Sequence, residues 1–298
     1  MKSIFIKLLI ALPIIYLALF AGLWSSVTDS RPILSLLDMM RSDSATEIID
    51  FSSDEEKSSK PKPKPNKDRN PYYGDLHVHT KHSFDAYIFG VTATPNDAYR
   101  YAKGEGIMHP MGYEMKLQEP LDFYSVTDHG FFMGMLNAWS DTTTDISQKD
   151  FAKPFHDLNE IENITPESAG PRSALFSTIL GGTITEPYSD LSPNVLKAWL
   201  TKNTQTALRS FDYEIHKSAW EDVATAANEH NDPGHFTTFI GYEFTTSTNI
   251  EGGNLHRNVI FNSSKAPIRP WTRIDSINPE DLWTWQDKLR DKGVDTVS

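Results

Sequence analysis

Residues 74–80 read GDLHVHT, and this short stretch indicates both a strand and a site. Side chains at positions i and i+2 of a β-strand point to the same face, so a strand through His77-Val78-His79 presents two imidazoles together. Two imidazoles on one face can bind a single metal cation. A chain with 10 histidines can contain an H-x-H motif by chance, so its surroundings decide the interpretation.

Three further segments have the composition of strands and carry metal-binding side chains at or near their ends: residues 121–127, 236–244 and 255–261. In α/β folds, reactive side chains gather at the carboxyl ends of the strands. Together with an aspartate six residues after His79, these segments predict one metal site. The side chains at these positions that could bind a metal are His77, His79, Asp85, Asp128, His129, Glu243 and His256.

Helix signals lie between the strand segments. Helices are predicted over residues 94–103, 192–200, 211–231 and 278–292, and three of them open with a capping residue followed by proline. Strands that alternate with helices predict a parallel α/β sheet or barrel. The histidines on or just after the third helix, His216, His230 and His235, are expected to be surface or capping residues.

The composition restricts the ligands that the chain can bind. The formal net charge is −12, and the acidic excess lies after residue 70, so we expect no nucleic-acid binding through phosphates. The chain contains no cysteine, which excludes disulfides, thiolate metal sites and a cysteine nucleophile. Any metal ion must therefore be bound by His, Asp and Glu.

The first 70 residues predict export. Residues 8–24 are apolar, follow Lys2 and Lys7, and lack a clear cleavage site, so residues 1–30 are interpreted as a signal or anchor helix. Lys2 and Lys7 are expected to keep the N-terminus in the cytoplasm, which places the bulk of the chain on the periplasmic or extracytoplasmic side. Residues 31–70 are predicted to be a membrane-proximal segment and a linker rich in Pro, Lys and Ser. An apolar stretch within residues 33–51 could lie on the membrane or pack on the domain.

The globular domain is predicted to span residues 71–298. It contains a long insertion at about residues 139–210, and insertions on the strand-to-helix face of such folds shape the substrate pocket.

Several motifs occur in an order that resembles the PHP (polymerase and histidinol phosphatase) superfamily. They are GDLHVHT at 74–80 with Ser83 and Asp85, VTDH at 126–129 and GYE at 241–243. Residues 93–104 (ATPNDAYRYAKG) and 120–123 (PLDF) resemble a large bacterial branch of it that is known only as a domain of unknown function. The resemblance covers about residues 70–298.

This resemblance implies a distorted (β/α)7 barrel whose strand ends bind two or three divalent ions, Zn, Mn or Fe. By position, His77 and His79 would bind one ion, Glu243 would bridge it to a second ion held by His256, and Asp85 and His129 would hold the third. Asp75 and Asp128 would orient the imidazoles. Members of the superfamily carry further ligands downstream, and the chain ends at Ser298 before any equivalent. We therefore expect a truncated frame and a barrel incomplete at its C-terminus.

The expected function is a metal-dependent hydrolase that acts on a small-molecule phosphoester through metal-activated water. Arg257 and His109 are candidate substrate-binding residues. Two alternatives remain open: an amidohydrolase-like enzyme that cleaves C–N bonds, and a non-catalytic metal-binding or scaffold fragment.

Overall fold

The computed structural model describes residues 44–52, 67, 70–179, 210–247, 254–276 and 278–298. Within these residues the strands are β1 (Ile48–Asp50), β2 (Gly74–Val78), β3 (Ile107–Met108), β4 (Glu114–Met115), β5 (Phe123–Val126), β6 (Thr237–Thr238), β7 (Gly241–Ser247), β8 (Asn254–Phe261), β9 (Lys265–Pro267) and β10 (Thr296–Val297). The α-helices are α1 (Phe84–Ile88), α2 (Pro95–Ala102), α3 (Met135–Ser140), α4 (Ala169–Ile179), α5 (Tyr213–His230) and α6 (Pro279–Asp291). Five short 3-10 turns complete the described elements: Ser44–Thr46, Ile146–Gln148, Lys153–Phe155, Ile161–Asn163 and Pro166–Ser168.

Three predicted helices are confirmed, and their first turns show why they begin where they do. Helix α2 starts with a capping box in which Thr94 and Asp97 bond each other's backbone N–H groups. The Asp212 carboxylate accepts from two N–H groups at the start of α5, and Asn278 caps α6. The predicted helix over residues 192–200 lies outside the described residues.

The strands form small, separate sheets. β2, β5 and β6 are parallel, whereas β7, β8 and β10 form an antiparallel sheet in the order β10-β8-β7. β1 pairs with β9 and β3 with β4, both antiparallel. At one point the two three-stranded sheets meet: Glu243 N–H donates to the Asp128 carbonyl at 2.9 Å, and Gly130 N–H donates to the Glu243 carbonyl at 2.9 Å. Gly241 permits this approach, because a Cβ there would lie 2.7 Å from Ser125 Oγ.

The predicted fold class, a distorted (β/α)7 barrel, is wrong. Among the described strands, none of the sheets closes on itself, and the fold is a mixed α/β arrangement. The reason is the connection between β7 and β8: six residues, 248–253, separate the two strands, which is too short for a crossover helix. β8 therefore returns antiparallel to β7.

No helix in the described part of the chain is long and apolar enough to cross a membrane. The predicted anchor at residues 8–24 lies outside that part, and export and membrane attachment stay predictions. The described end of the 33–51 stretch packs on the domain: β1 pairs with β9, and Trp285 Nε1 donates to the Ala45 carbonyl at 2.7 Å.

Two apolar clusters pack the described elements together. The larger cluster joins α2, α5 and α6 to the sheets, with Trp220, Tyr242, Phe261 and Trp285 fully buried. The second joins α1 and α3 to the first part of the predicted insertion. Residues 180–209 of that insertion lie outside the described residues.

Candidate metal centre

The six predicted ligands come from both three-stranded sheets and from α1. His77 lies in β2 and His79 directly follows it, while Asp85 is in the first turn of α1. His129 follows β5 and forms an isolated parallel bridge with Glu243 of β7. In the antiparallel β7–β8 register, Thr245 lies opposite His256. Strand alternation therefore places Glu243, Thr245 and His256 on one face of this hairpin.

The Glu243 carboxylate lies at the centre of four imidazoles. Its Oε2 is 2.8 Å from His79 Nε2, 3.1 Å from His77 Nε2 and 3.4 Å from His129 Nδ1. Its Oε1 contacts His256 Nδ1. The structure thus brings all four predicted histidine ligands to one carboxylate.

Asp85 forms a second centre beside the first. Its carboxylate lies 3.1 Å from His79 Nδ1 and 3.4 Å from His129 Nε2. The Ser83 hydroxyl donates to Asp85 at 2.5 Å, and the Ala86 N–H donates at 2.7 Å. The rings of His79 and His129 therefore each have one nitrogen facing Asp85 and the other facing Glu243.

These residues have the spacing that a metal ion requires. Three overlapping groups each offer ligand atoms within 4.8 Å of one another: His77, His79 and Glu243; His79, Asp85 and His129; His129, Glu243 and His256. Two donors at ~2.1 Å from one ion at near-tetrahedral angles lie ~3.4 Å apart, close to the separations observed here. In addition, His79 Nε2 is buried and, despite its nearness to Glu243, makes no aligned hydrogen bond. The chain thus has His and Glu groups that could bind a metal.

The electrostatics of the site also favour a cation. Burial raises the pKa of Glu243, but His79, His129 and His256 outweigh it and lower the value to about 2. The pKa of Asp85 is likewise held below its usual range by His129 and His79, against the effect of burial. Burial lowers the pKa of His79, whereas Asp85 and Glu243 raise it to about 10. Both carboxylates are therefore ionised at neutral pH and require positive charge nearby.

The site opens on one side. The side chains of His77 and His256 are 57% and 39% exposed, whereas those of His129 and Glu243 are 4% and 2% exposed. Solvent therefore reaches the site over His77 and His256, and His129 and Glu243 lie at its buried side.

Asp75 and Asp128 contact backbone and hydroxyl groups. Asp75 Oδ1 accepts from the His77 backbone N–H at 2.9 Å. Asp128 is fully buried and accepts from the N–H and the hydroxyl of Thr80, the residue after His79. Burial raises the pKa of Asp128 above its usual range, although the nearby His82, the hydrogen bonds from Thr80 and the nearby His79 act in the opposite direction. The two carboxylates hold the chain on either side of the H-x-H motif.

The two predicted substrate-binding residues occupy different surroundings. Arg257 is exposed on β8. It directly follows the candidate ligand His256, and strand alternation places it on the opposite face. His109 lies between β3 and β4, where its ring stacks on Tyr113 at 4.4 Å and its Nδ1 accepts from the Met111 N–H. Neither of these contacts of His109 involves a candidate metal ligand.

Sequence reasoning missed two hydroxyls at the site. Thr245 Oγ1 lies 2.6 Å from His129 Nδ1, and Ser83 Oγ accepts from the His129 backbone N–H at 3.2 Å. Strand alternation from Glu243 could have identified Thr245, because it lies two residues further along the same face. The role of Ser83 toward His129, 46 residues away, has no local signal.

Comparison with known proteins gives a family but no activity. No curated protein and no solved structure matches the chain. One family model matches residues 66–298, and nothing links that match to the PHP superfamily, so the assignment drawn from the resemblance is wrong. Motifs as short as H-x-H and Asp-His recur in unrelated metal sites, which is why they misled. The chain belongs to the family described as Protein of unknown function (DUF3604).

Proposed function

We propose that this chain is a metal-dependent hydrolase with a phosphoester as its substrate. The observation that carries the proposal is the convergence of three overlapping ligand groups on Glu243 and Asp85. Four imidazoles and carboxylates suit Zn, Mn or Fe, which all accept nitrogen and oxygen ligands.

The arrangement favours two ions bridged by Glu243. When one nitrogen of an imidazole binds a metal, the other normally donates its N–H to an acceptor. His79 and His129 therefore each serve one ion. The group that contains His77 and the group that contains His256 share only Glu243, so each can bind one ion at the same time. The group that contains Asp85 also requires His79 and His129, so it competes with the other two groups for these ligands.

In this arrangement Asp85 orients two ligands. Its carboxylate faces the nitrogens of His79 and His129 that point away from Glu243. An acceptor at that position fixes the ring orientation and makes the opposite nitrogen a better ligand. The hydrogen bonds from Ser83 and Ala86 in turn hold Asp85 in place.

Cations at this site would lower the pKa of a bound water towards neutrality and stabilise the charge that develops on a phosphoryl group. The chain's own contribution is to fix the ligand positions through β2, β7 and β8 and to leave the His77–His256 side open for substrate. If two cations bind, the negative charge of Glu243 would offset the repulsion between them.

The experiment counts ions and measures turnover in the same samples. The purified chain is loaded with Zn²⁺, Mn²⁺ or Fe²⁺, its metal content is measured by mass spectrometry, and hydrolysis of p-nitrophenyl phosphate and bis(p-nitrophenyl) phosphate is followed. We expect two ions per chain and turnover that chelation abolishes. E243Q should lose ions and turnover together, because the amide cannot bridge two cations.

E105Q is the matched control, since Glu105 is exposed and pairs with Arg100 at 3.0 Å outside the site. It should keep both ions and full turnover. A chain that retains no ion would contradict the proposal as a whole. Two ions with no phosphoester turnover would contradict the substrate class, and a third ion would place one at Asp85.

A further inference from the structure

Strand β8 carries a second residue on the face of the metal centre, two positions after His256. In the antiparallel β7–β8 pairing, Asn258 lies directly opposite Glu243, just as His256 lies opposite Thr245. Opposed residues of an antiparallel pair project to the same face, and so do residues two apart on one strand. Asn258 is therefore on the face of the hairpin that carries Glu243 and His256.

The side-chain amide of Asn258 reaches from this hairpin to β2. Its Nδ2 donates to the Leu76 carbonyl oxygen at 3.0 Å. Leu76 directly precedes His77, whose Nε2 lies 3.1 Å from Glu243 Oε2. The amide thus lies between the strand of His77 and the strand of Glu243, which are two members of one ligand group.

The hydrogen bond to Leu76 fixes the orientation of the amide. A carbonyl oxygen only accepts, so the atom of Asn258 that faces it must be the nitrogen. The remaining atom, Oδ1, is sealed from solvent and has no hydrogen-bond partner among the described residues. Leaving a buried acceptor unsatisfied costs about 1–3 kcal/mol. Asn258 therefore holds a carbonyl oxygen where bulk water does not satisfy it.

This oxygen differs from the other sealed atoms in what can satisfy it. Eight side-chain polar atoms in the described part of the chain are buried without a partner. Seven of them are ring nitrogens, a hydroxyl oxygen or an amide nitrogen, all of which can carry a proton, whereas Asn258 Oδ1 can only accept. His79 Nε2, in the same ligand group as His77 and Glu243, is another of the eight. A single cation in this group would accept an electron pair from both atoms.

We propose that Asn258 Oδ1 is a further ligand of the ion bound by the group that contains His77. This inference rests on the metal site of the proposed function and deepens it by distinguishing the two ions. With Asn258, this group offers two imidazoles and two oxygen ligands, whereas the group that contains His256 offers two imidazoles and one carboxylate. Carbonyl and carboxylate oxygens suit Mn²⁺, and imidazoles suit Zn²⁺. Asn258 therefore shifts the preference of its own ion towards Mn²⁺, relative to the ion beside His256.

The test measures Mn²⁺ and Zn²⁺ binding to the full chain by calorimetry and counts the retained ions by mass spectrometry. N258A and N258D both lose the hydrogen bond to Leu76, but only N258D keeps an oxygen at the ligand position. We expect N258A to weaken Mn²⁺ binding at one of the two ions about tenfold or more, with a smaller loss for Zn²⁺. N258D should bind Mn²⁺ at least as tightly as the wild type, because a carboxylate adds negative charge to the oxygen.

N262A is the matched control, because Asn262 directly follows β8, is exposed, and has its Nδ2 3.5 Å from Asp295 Oδ2. It should bind both metals as the wild type does. Equal losses in N258A and N258D would show that Asn258 only joins β2 to β8, and would overturn the inference. Unchanged Mn²⁺ affinity in N258A would overturn it as well.

The two metals keep the test decisive if one variant is unstable. If N258D does not fold, equal losses of Mn²⁺ and Zn²⁺ affinity in N258A would overturn the inference, and a larger loss for Mn²⁺ would support it. A wild-type chain that binds no ion would contradict the proposed function and this inference together. Two ions in both the wild type and N258A, with equal affinities, would contradict this inference alone.

Discussion

The molecule buries histidine in two contrasting regions. In the metal centre, His79 lies between Asp85 and Glu243, and despite burial its pKa is raised to about 10. On α5, His216 is 1% exposed beside Phe211, and burial together with Arg269 lowers its pKa to about 3. The same side chain is thus held charged in one region and neutral in the other.

The difference shows that neighbouring charge, rather than burial, decides the state of a histidine here. Both rings are withdrawn from water, and burial alone would keep both neutral. Only the carboxylates around His79 reverse this effect. A region in which carboxylates face imidazoles is suited to a cation, whereas the region around His216 is suited to packing.

The largest expected effect is stabilisation of the folded chain by metal bound at the metal centre. At free metal about 1,000-fold above the dissociation constant, each bound ion stabilises the folded chain by about 4 kcal/mol. We therefore expect the unfolding temperature, measured by calorimetry, to rise by about 10 °C or more on metal loading. E243Q should show no such rise, and an equal rise in E243Q would place the binding elsewhere.

The second effect, of about 3–5 kcal/mol, concerns the region of His216. R269M removes the partner of Asp275 and leaves a buried charge whose remaining hydrogen-bond donor, among the residues that the structure describes, is the Thr272 N–H. Urea unfolding should show this loss of free energy while the metal content stays unchanged. The double variant R269M/D275A should recover part of the stability; a double variant as unstable as R269M would show that the pair's charge is not the cause.

The smallest effect, about 2 kcal/mol, is a pH dependence. Because the folded pKa of His216 is about 3 and the unfolded value is about 6.5, only the unfolded chain gains the proton as pH falls below 6.5. The contribution of His216 to the free energy of unfolding should therefore drop by about 2 kcal/mol between pH 7 and pH 5, measured as the difference between the wild type and H216Q in metal-free urea unfolding. H216Q should lack this part of the drop, and equal slopes in the two proteins would contradict the assigned state of His216.

Candidate ligands could be found from sequence because their signals are local. An H-x-H stretch on a strand places two imidazoles on one face whatever the rest of the fold does. Capping residues with proline likewise located the starts of α2 and α6. These rules act within a few residues, so they need no knowledge of the partners.

The predictions that were wrong depended on contacts between segments that are distant in the chain. The barrel was predicted from alternation of strands and helices, but strand direction depended on the short connection between β7 and β8. His216 was expected at a helix surface and is buried, because the face of α5 that it occupies packs against Arg269 and Met133.

The sequence by itself determined which side chains could bind a metal, the absence of thiolates among them, and the starts of three helices. Only the tertiary structure decided that these ligands share one carboxylate, since His77 and Glu243 are 166 residues apart in the chain. It also decided which nitrogen faces which carboxylate and which histidine is neutral. The physical reason is that donor positions and electrostatic surroundings arise from packing between distant segments, whereas strand alternation and helix capping act within a few residues.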